Sequence, residues 1–182
     1  MFTPTKISPA EFEAFINLPE NLYYNFELIY GEIFQKMTTH VHGIIISRIL
    51  TMLENYLEQF PIGFAAAEPR FKPTPDSEHD LIPDEAFTVA SRGVVYEGAM
   101  AGVPDIAIEV QSPGQSEEFM RKKAQIYLTY GTAIVWLVFP KKRTVEVSIS
   151  GKYVIFTEND VLDGGDVLPN FQLPIHKIFA RL

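Results

Sequence analysis

Hydrophobic and polar positions in "GVPDIAIEVQSP", residues 102–113, alternate with a period of two. That spacing predicts a strand with Ile106, Ile108 and Val110 on one face and Asp105, Ala107, Glu109 and Gln111 on the other. A face made of two acids, an amide and an alanine is either solvated or the floor of a site. The preceding run "IPDEAFTVA" (82–90) alternates too, with Phe87 and Val89 opposed to Asp84, Ala86 and Thr88. "AIVWLVF" (133–139) is apolar on both faces, which predicts a central, buried strand.

Helical spacing marks other stretches. In "HVHGIIISRILTMLENYLEQF" (40–60), Ile45, Ile49, Met52, Leu53, Tyr56 and Phe60 fall on one face. "SPGQSEEFMRKKAQIYLTYG" (112–131) has Ser116 as N-cap and Gly131 as stop. "SPAEFEAFINLP" (8–19) carries the capping-box pair Ser8 and Glu11, with Pro9 in the first turn. "NFELIYGEIFQKM" (25–37) predicts a hairpin turning at Tyr30-Gly31, and "GFAAAEPRFK" (63–72) a strand. Residues 73–80 and 91–103 are expected to be connections. "TVEVSIS" and "YVIF" are expected to pair across a "GK" turn, and the tail from Asp166 to be irregular before a short helix. Interleaved helices and strands predict one α/β or α+β domain over 1–182, its sheet mixed or largely antiparallel.

The 182 residues suffice for a real core, and 47% are apolar. Without cysteine there is no disulfide, thiolate metal site or cysteine nucleophile, which fits a cytoplasmic protein. The start "MFTPTKISPAEFEAF" lacks the pattern of a signal peptide, and no apolar run reaches the ~20 residues of a membrane span. A net charge of −8 argues against passive adhesion to nucleic acid, yet it is compatible with acidic metal ligands.

Asp105 and Glu109 are ~13 Å apart along a strand at ~3.3 Å per residue, too far to share one ion. An antiparallel pairing of the strands at 82–90 and 102–113, with 90 near 104, sets Asp84 opposite residue 110, give or take one. Glu109 or Gln111 then becomes its neighbour, with Cβ atoms ~5 Å apart. Asp105 falls at the far end, by Val89. Asp84 and Glu109 are the pair able to share a cation, and small Ala86 and Ala107 leave room above them. On the helix after Ser116, Lys123 falls near the middle of the arc formed by Met120, Ala124, Ile126, Tyr127, Leu128 and Tyr130. Either its stem snorkels to water or its ammonium meets the carboxylates. Glu27, in "FELIYGE", reads most simply as an ordinary hairpin acid.

Other residues weigh less. His40 and His42 lack the i, i+4 spacing of a helical zinc pair. His42 is a candidate for a hydrogen bond or substrate contact at the site edge. His79 and His176 are expected on the surface or in loops. Ser112-Pro113-Gly114 lacks the setting of a nucleophile elbow, and "KKR" (141–143) reads as a charged turn able to touch a DNA backbone.

"YNFELIYGEIFQ", "HGIIISRIL", "IPDEAFTVA", "GVPDIAIEVQSPG" and "KKAQIYLTYGTAIVWLV", in this order, resemble the Uma-type "putative restriction endonucleases" of the PD-(D/E)XK nuclease superfamily. The resemblance runs from about residue 8 to the end. It implies a restriction-endonuclease-like core, a mixed sheet flanked by helices with extra antiparallel strands. It also implies a catalytic set of Asp84, Glu109, Lys123, Gln111 and Glu27. Asp84, Glu109 and the Val110 carbonyl would hold Mg²⁺, or Mn²⁺, and DNA would be the substrate. Glu27 would be a second-ion or water ligand. The superfamily's lysine two residues after the glutamate is replaced by Gln111, which would hydrogen-bond the water or hold Lys123; Lys123 would take over the missing lysine's role. A homodimer is expected because duplex cleavage often needs two sites. The alternatives are an inactive nuclease-fold binding or assembly module, and a metal-dependent phosphoesterase acting on another substrate.

Overall fold

The structure, a computed structural model, describes residues 6–182; the first five residues of the amino-terminal stretch discussed above lie outside the described residues. Helix α1 (Pro9–Ile16) starts with the expected capping box: Ser8 N–H donates to Glu11 Oε2 at 2.7 Å, and Glu11 N–H donates back to the Ser8 hydroxyl. Strands β1 (Phe26–Ile29) and β2 (Glu32–Gln35) form the hairpin. Its turn residues Tyr30 and Gly31 both have positive φ, 52° and 77°, as a two-residue hairpin of this hand requires. Helix α2 (His40–Leu57) buries Ile45, Ile49, Leu53 and Tyr56. It ends three residues earlier than its pattern suggests, and Phe60 leaves the apolar face to pack on the Tyr56 ring from outside the helix.

The predicted 63–72 strand divides at Glu68, where φ is +50°, and Pro69 follows. Its parts are β3 (Gly63–Ala67) and β4 (Phe71–Lys72). Next come β5 (Glu85–Val89) and β6 (Met100–Ala101); β6, in the expected connection, pairs with β4. Then follow β7 (Ile106–Val110), α3 (Glu117–Thr129), β8 (Ile134–Phe139), β9 (Thr144–Ile149) and β10 (Lys152–Phe156). The last turn is Ser150-Gly151, one residue earlier than "GK", because positive φ falls on that pair. The tail is more regular than expected. Strands β11 (Val161–Gly164) and β12 (Leu168–Pro174) form a hairpin before α4 (Ile175–Phe179).

Six strands make the main sheet, in the order β10-β9-β8-β7-β5-β3. The sheet is mixed: β7 and β8 are parallel and its other neighbours antiparallel. A parallel pair needs a crossover, and α3 is that crossover. Both faces are covered. Phe87, Ile106, Ile108, Trp136 and Val138 pack in one core with α2, β12 and α4. Ala107, Val135, Leu137 and Phe139 pack in the other with Met120, Ala124, Ile126 and Tyr127 of α3. So the acid-bearing face of β7 is roofed by α3 and is not solvated.

One group sits against this pattern. Glu85 is fully buried, shares the Phe87 face beneath α2 by strand alternation, and neither of its carboxylate oxygens has a hydrogen-bond partner. Burial, then the adjacent Asp84 charge, push its carboxyl up to about 9, opposed by the Leu50 backbone of α2.

Candidate active site

Strands β5 and β7 pair Glu85 with Ile108 and Ala86 with Ala107, so the next position outward sets Asp84 against Glu109. This lies within the one-residue margin of the sequence reading and selects Glu109 over Gln111. Beyond the last rung of the ladder a side chain takes over, and Val110 N–H donates to Asp84 Oδ2 at 2.6 Å. The Gln111 N–H points the other way, to the Val138 carbonyl. Across a trans peptide the Val110 carbonyl is opposed to that N–H and faces the Asp84 side. Asp105 lies at the far end, accepting from Val89 N–H at 2.9 Å.

Lys123 does not snorkel. It is 2% exposed, and its Nζ lies 2.7 Å from Glu109 Oε1 and 2.8 Å from Glu27 Oε2. One helical turn on, Tyr127 donates its hydroxyl to the same Glu109 oxygen at 2.8 Å. Glu27 fixes the ammonium from β1 and accepts Ile82 N–H at 2.7 Å through its other oxygen, so its buried carboxylate ties the hairpin to the sheet. It is no ordinary exposed hairpin acid.

Asp84 has two partners that the sequence reading did not give it. Lys36 Nζ donates to Oδ1 at 2.6 Å and to the Ile82 carbonyl at 2.7 Å. His42 Nε2 lies 3.0 Å from Oδ2 and donates to it, since an ionised carboxylate only accepts. His42 is thereby placed against Asp84, and its other ring nitrogen is buried without a partner. Gln111 is not brought to this cluster. Its amide donates to the Gln115 carbonyl at 2.9 Å and braces the turn into α3. His79 lies in a loop but is buried there and accepts Tyr30 N–H through Nδ1; His176 is exposed on α4. In the charged turn, Lys142 pairs with Glu117 and Arg143 with Glu158.

Two signals pointed to the missed residues. Lys36 follows Phe34 at a spacing of two, on a half-buried face of the hairpin, and Tyr127 is four residues beyond Lys123. Tyr127→Phe is expected to cost about 1–3 kcal/mol, because Oε1 of the buried, charged Glu109 loses one of its two donors and keeps only Lys123. Urea unfolding of the variant against wild type measures this, and an unchanged midpoint would contradict it.

The electrostatics divide the two acids. Burial pushes the Asp84 carboxyl up, but the His42 hydrogen bond and the Lys36, His42 and Lys123 charges outweigh it and hold the group well below the ordinary carboxylate range. Burial pushes Glu109 up to about 7; Lys123 opposes this, while Asp84 and Glu27 add to it. For Lys123, burial disfavours charge, but Glu109, Glu27 and Asp84 prevail and keep the ammonium protonated.

These side chains floor a cavity of about 360 Å³, rimmed by Phe34, Met37, Ser116 and Phe119. Among the described residues no three His, Asp or Glu side chains surround one point, so no closed protein cage exists for an ion. The available donors are Asp84, Glu109, whose Oε2 makes no protein hydrogen bond, and the Val110 carbonyl. Few, hard oxygen ligands beside open space suit Mg²⁺ or Mn²⁺, which retain several waters.

Comparison with known proteins bears on the family and the fold. A family model described as "Uma2: Putative restriction endonuclease" matches residues 11–176. A solved structure described as "a putative nuclease belonging to DUF820", from Anabaena variabilis ATCC 29413, is similar with a TM-score of 0.78 and 26% identity. That similarity covers 97% of this chain and 98% of the other. No curated protein gives a significant match.

Proposed function

The chain belongs to the Uma2 family, described as "Putative restriction endonuclease", and from that premise we propose that it is a Mg²⁺-dependent endonuclease hydrolysing DNA phosphodiester bonds. The observation that carries this reading is the meeting of Asp84, Glu109 and Lys123 on the floor of one open cavity. Asp84, Glu109 and the Val110 carbonyl would hold the ion, with Mn²⁺ as a substitute. The ion supplies a Lewis acid that offsets charge on the phosphate and lowers the pKa of coordinated water.

The chain's own groups do the rest. Lys123 uses two of its three N–H bonds on Glu27 and Glu109, and the third is left to donate to a phosphate oxygen where negative charge builds. Tyr127 and Glu27 are positioning residues that fix Glu109 and the ammonium. His42 holds Asp84 in one orientation. Gln111 acts at a distance, by shaping the turn that walls the cavity. The reading extends to a cytoplasmic homodimer; no helix among the described residues is long and apolar enough to cross a membrane.

The test is cleavage of duplex, single-stranded and branched DNA with Mg²⁺ or Mn²⁺, for wild type, Asp84→Asn and Glu109→Gln. Wild type is expected to cut at least one substrate, to stop with chelator, and to lose all but about a hundredth of its rate in either folded variant. If folded wild type cuts none of them with either metal, the nuclease reading fails. A nuclease-fold binding module then stands in its place. One observation favours that alternative: Asp84 and Glu109 each have a lysine partner within the chain.

A further inference from the structure

Lys36 is held as tightly as any catalytic group, although the proposed chemistry does not call for it. Its side chain is 10% exposed. Its ammonium lies 2.6 Å from Asp84 Oδ1, 2.7 Å from the Ile82 carbonyl and 4.0 Å from Glu68 Oε1, a cradle of oxygens on one side of the cavity. Asp84 Oδ2 is already saturated by His42 Nε2 and Val110 N–H. The oxygen left to a metal is Oδ1, whose one partner is Lys36.

Charge points the same way. Among the buried groups Glu27, Asp84 and Glu109 are countered by Lys36 and Lys123, which leaves an excess of carboxylates, and the half-buried Glu68 beside Lys36 adds to it. A divalent ion entering beside Lys36 would meet a group of its own sign within a few ångströms in a partly desolvated place, where Coulomb terms are large. Without Lys36 the excess of carboxylate over ammonium would grow by one, which favours a divalent ion.

We propose that the Lys36 ammonium is a resident cation on the metal-facing oxygen of Asp84, so that a divalent ion enters this site only by displacing it. The proposal rests on the metal-dependent reading above. The ammonium offsets part of the site's negative charge in the free protein and sets its metal affinity low. The same lysine, once displaced, stays tethered to β2 at the cavity wall, within reach of a phosphate bound there.

The experiment is calorimetric titration of the full chain with MnCl₂, without DNA, for wild type, Lys36→Met, Lys36→Gln, Lys36→Arg and Asp84→Asn. Thermal unfolding with and without Mn²⁺ is recorded on the same samples. The expected result is at least a tenfold tighter Mn²⁺ affinity for Lys36→Met, with a larger metal-induced rise in Tm than wild type shows. Lys36→Arg, which keeps the cation, should stay within about threefold of wild type. Lys36→Gln retains a donor for the Ile82 carbonyl and carries the comparison if the methionine variant does not fold.

Equal affinity in wild type and the folded neutral variants overturns the proposal. The metal reading itself survives that result if Asp84→Asn abolishes binding. No Mn²⁺ binding by any variant overturns both. Tighter binding in Lys36→Met together with no DNA cleavage by wild type supports the resident cation and removes the nuclease.

Discussion

Lys123→Met is expected to cost about 3–5 kcal/mol of folding stability, the loss found when one partner of a buried ion pair is removed. The reason is what the substitution leaves behind. Glu109 and Glu27 are 3% and 4% exposed, and both lose the ammonium that compensates their burial. Methionine fills similar space but offers no donor, so the cost is electrostatic and not a packing defect. Urea unfolding should show a lower midpoint with an unchanged slope. Adding Glu27→Gln to Lys123→Met should recover part of the loss, since one stranded charge is gone; the double-mutant cycle reads that coupling. A Lys123→Met unfolding free energy within about 0.5 kcal/mol of wild type would mean that the ammonium is solvated and the buried triad does not exist.

Glu85→Gln should act in the opposite direction and stabilise the protein by about 3 kcal/mol at pH 7. The wild-type carboxyl is raised from its ordinary 4.5 to about 9, so at pH 7 the unfolded chain has released a proton that the folded chain keeps. At about 1.36 kcal/mol per pH unit, the interval from 4.5 to 7 gives that figure. The sign follows from the raised value: the cost vanishes below about pH 4.5 and grows as pH climbs towards 9. Glutamine removes the cost and with it this part of the pH slope. Wild type and variant should therefore converge near pH 4.5 and separate steadily above it. Chemical denaturation at pH 5, 7 and 8.5 measures the gap. A variant no more stable than wild type at pH 7 would show that Glu85 is ionised and compensated in the folded state.

The sequence made the centre of the site legible because period-two alternation fixes faces and a hairpin fixes register. Asp84 could be matched to Glu109 from strand spacing, and Lys123 betrayed itself as a charge in the middle of an apolar helical arc. Lys36 escaped because it follows a four-residue strand, too short for its face to stand out. Tyr127 was hidden by its own ring, which fits an apolar arc as readily as its hydroxyl fits a carboxylate. The β11–β12 hairpin was obscured by Pro169, Pro174 and an Asn170 with φ of +65°, together with a register shift at Asp163/Gly164. Only afterwards does the burial of Leu168, Phe171 and Leu173 reveal the strand. Gln111 shows the limit of alternation: its face points towards the acids, but the chain turns towards α3 and takes the amide with it.

The crossover from β7 through α3 to β8 also sets the order in which the site comes into being. Glu109, Lys123 and Tyr127 lie close together along the chain, and all three follow Glu27, Lys36 and Asp84. During synthesis the early acids therefore emerge before the lysine and tyrosine that make burial of Glu27 and Glu109 tolerable. β5 cannot become an interior strand until β7 pairs with it, and β7 cannot be covered until α3 has left the ribosome. A nascent chain ending before Lys123 has every reason to keep its acids in water. Closure of the cavity therefore waits for α3 to emerge, after every acid of the site has already been made.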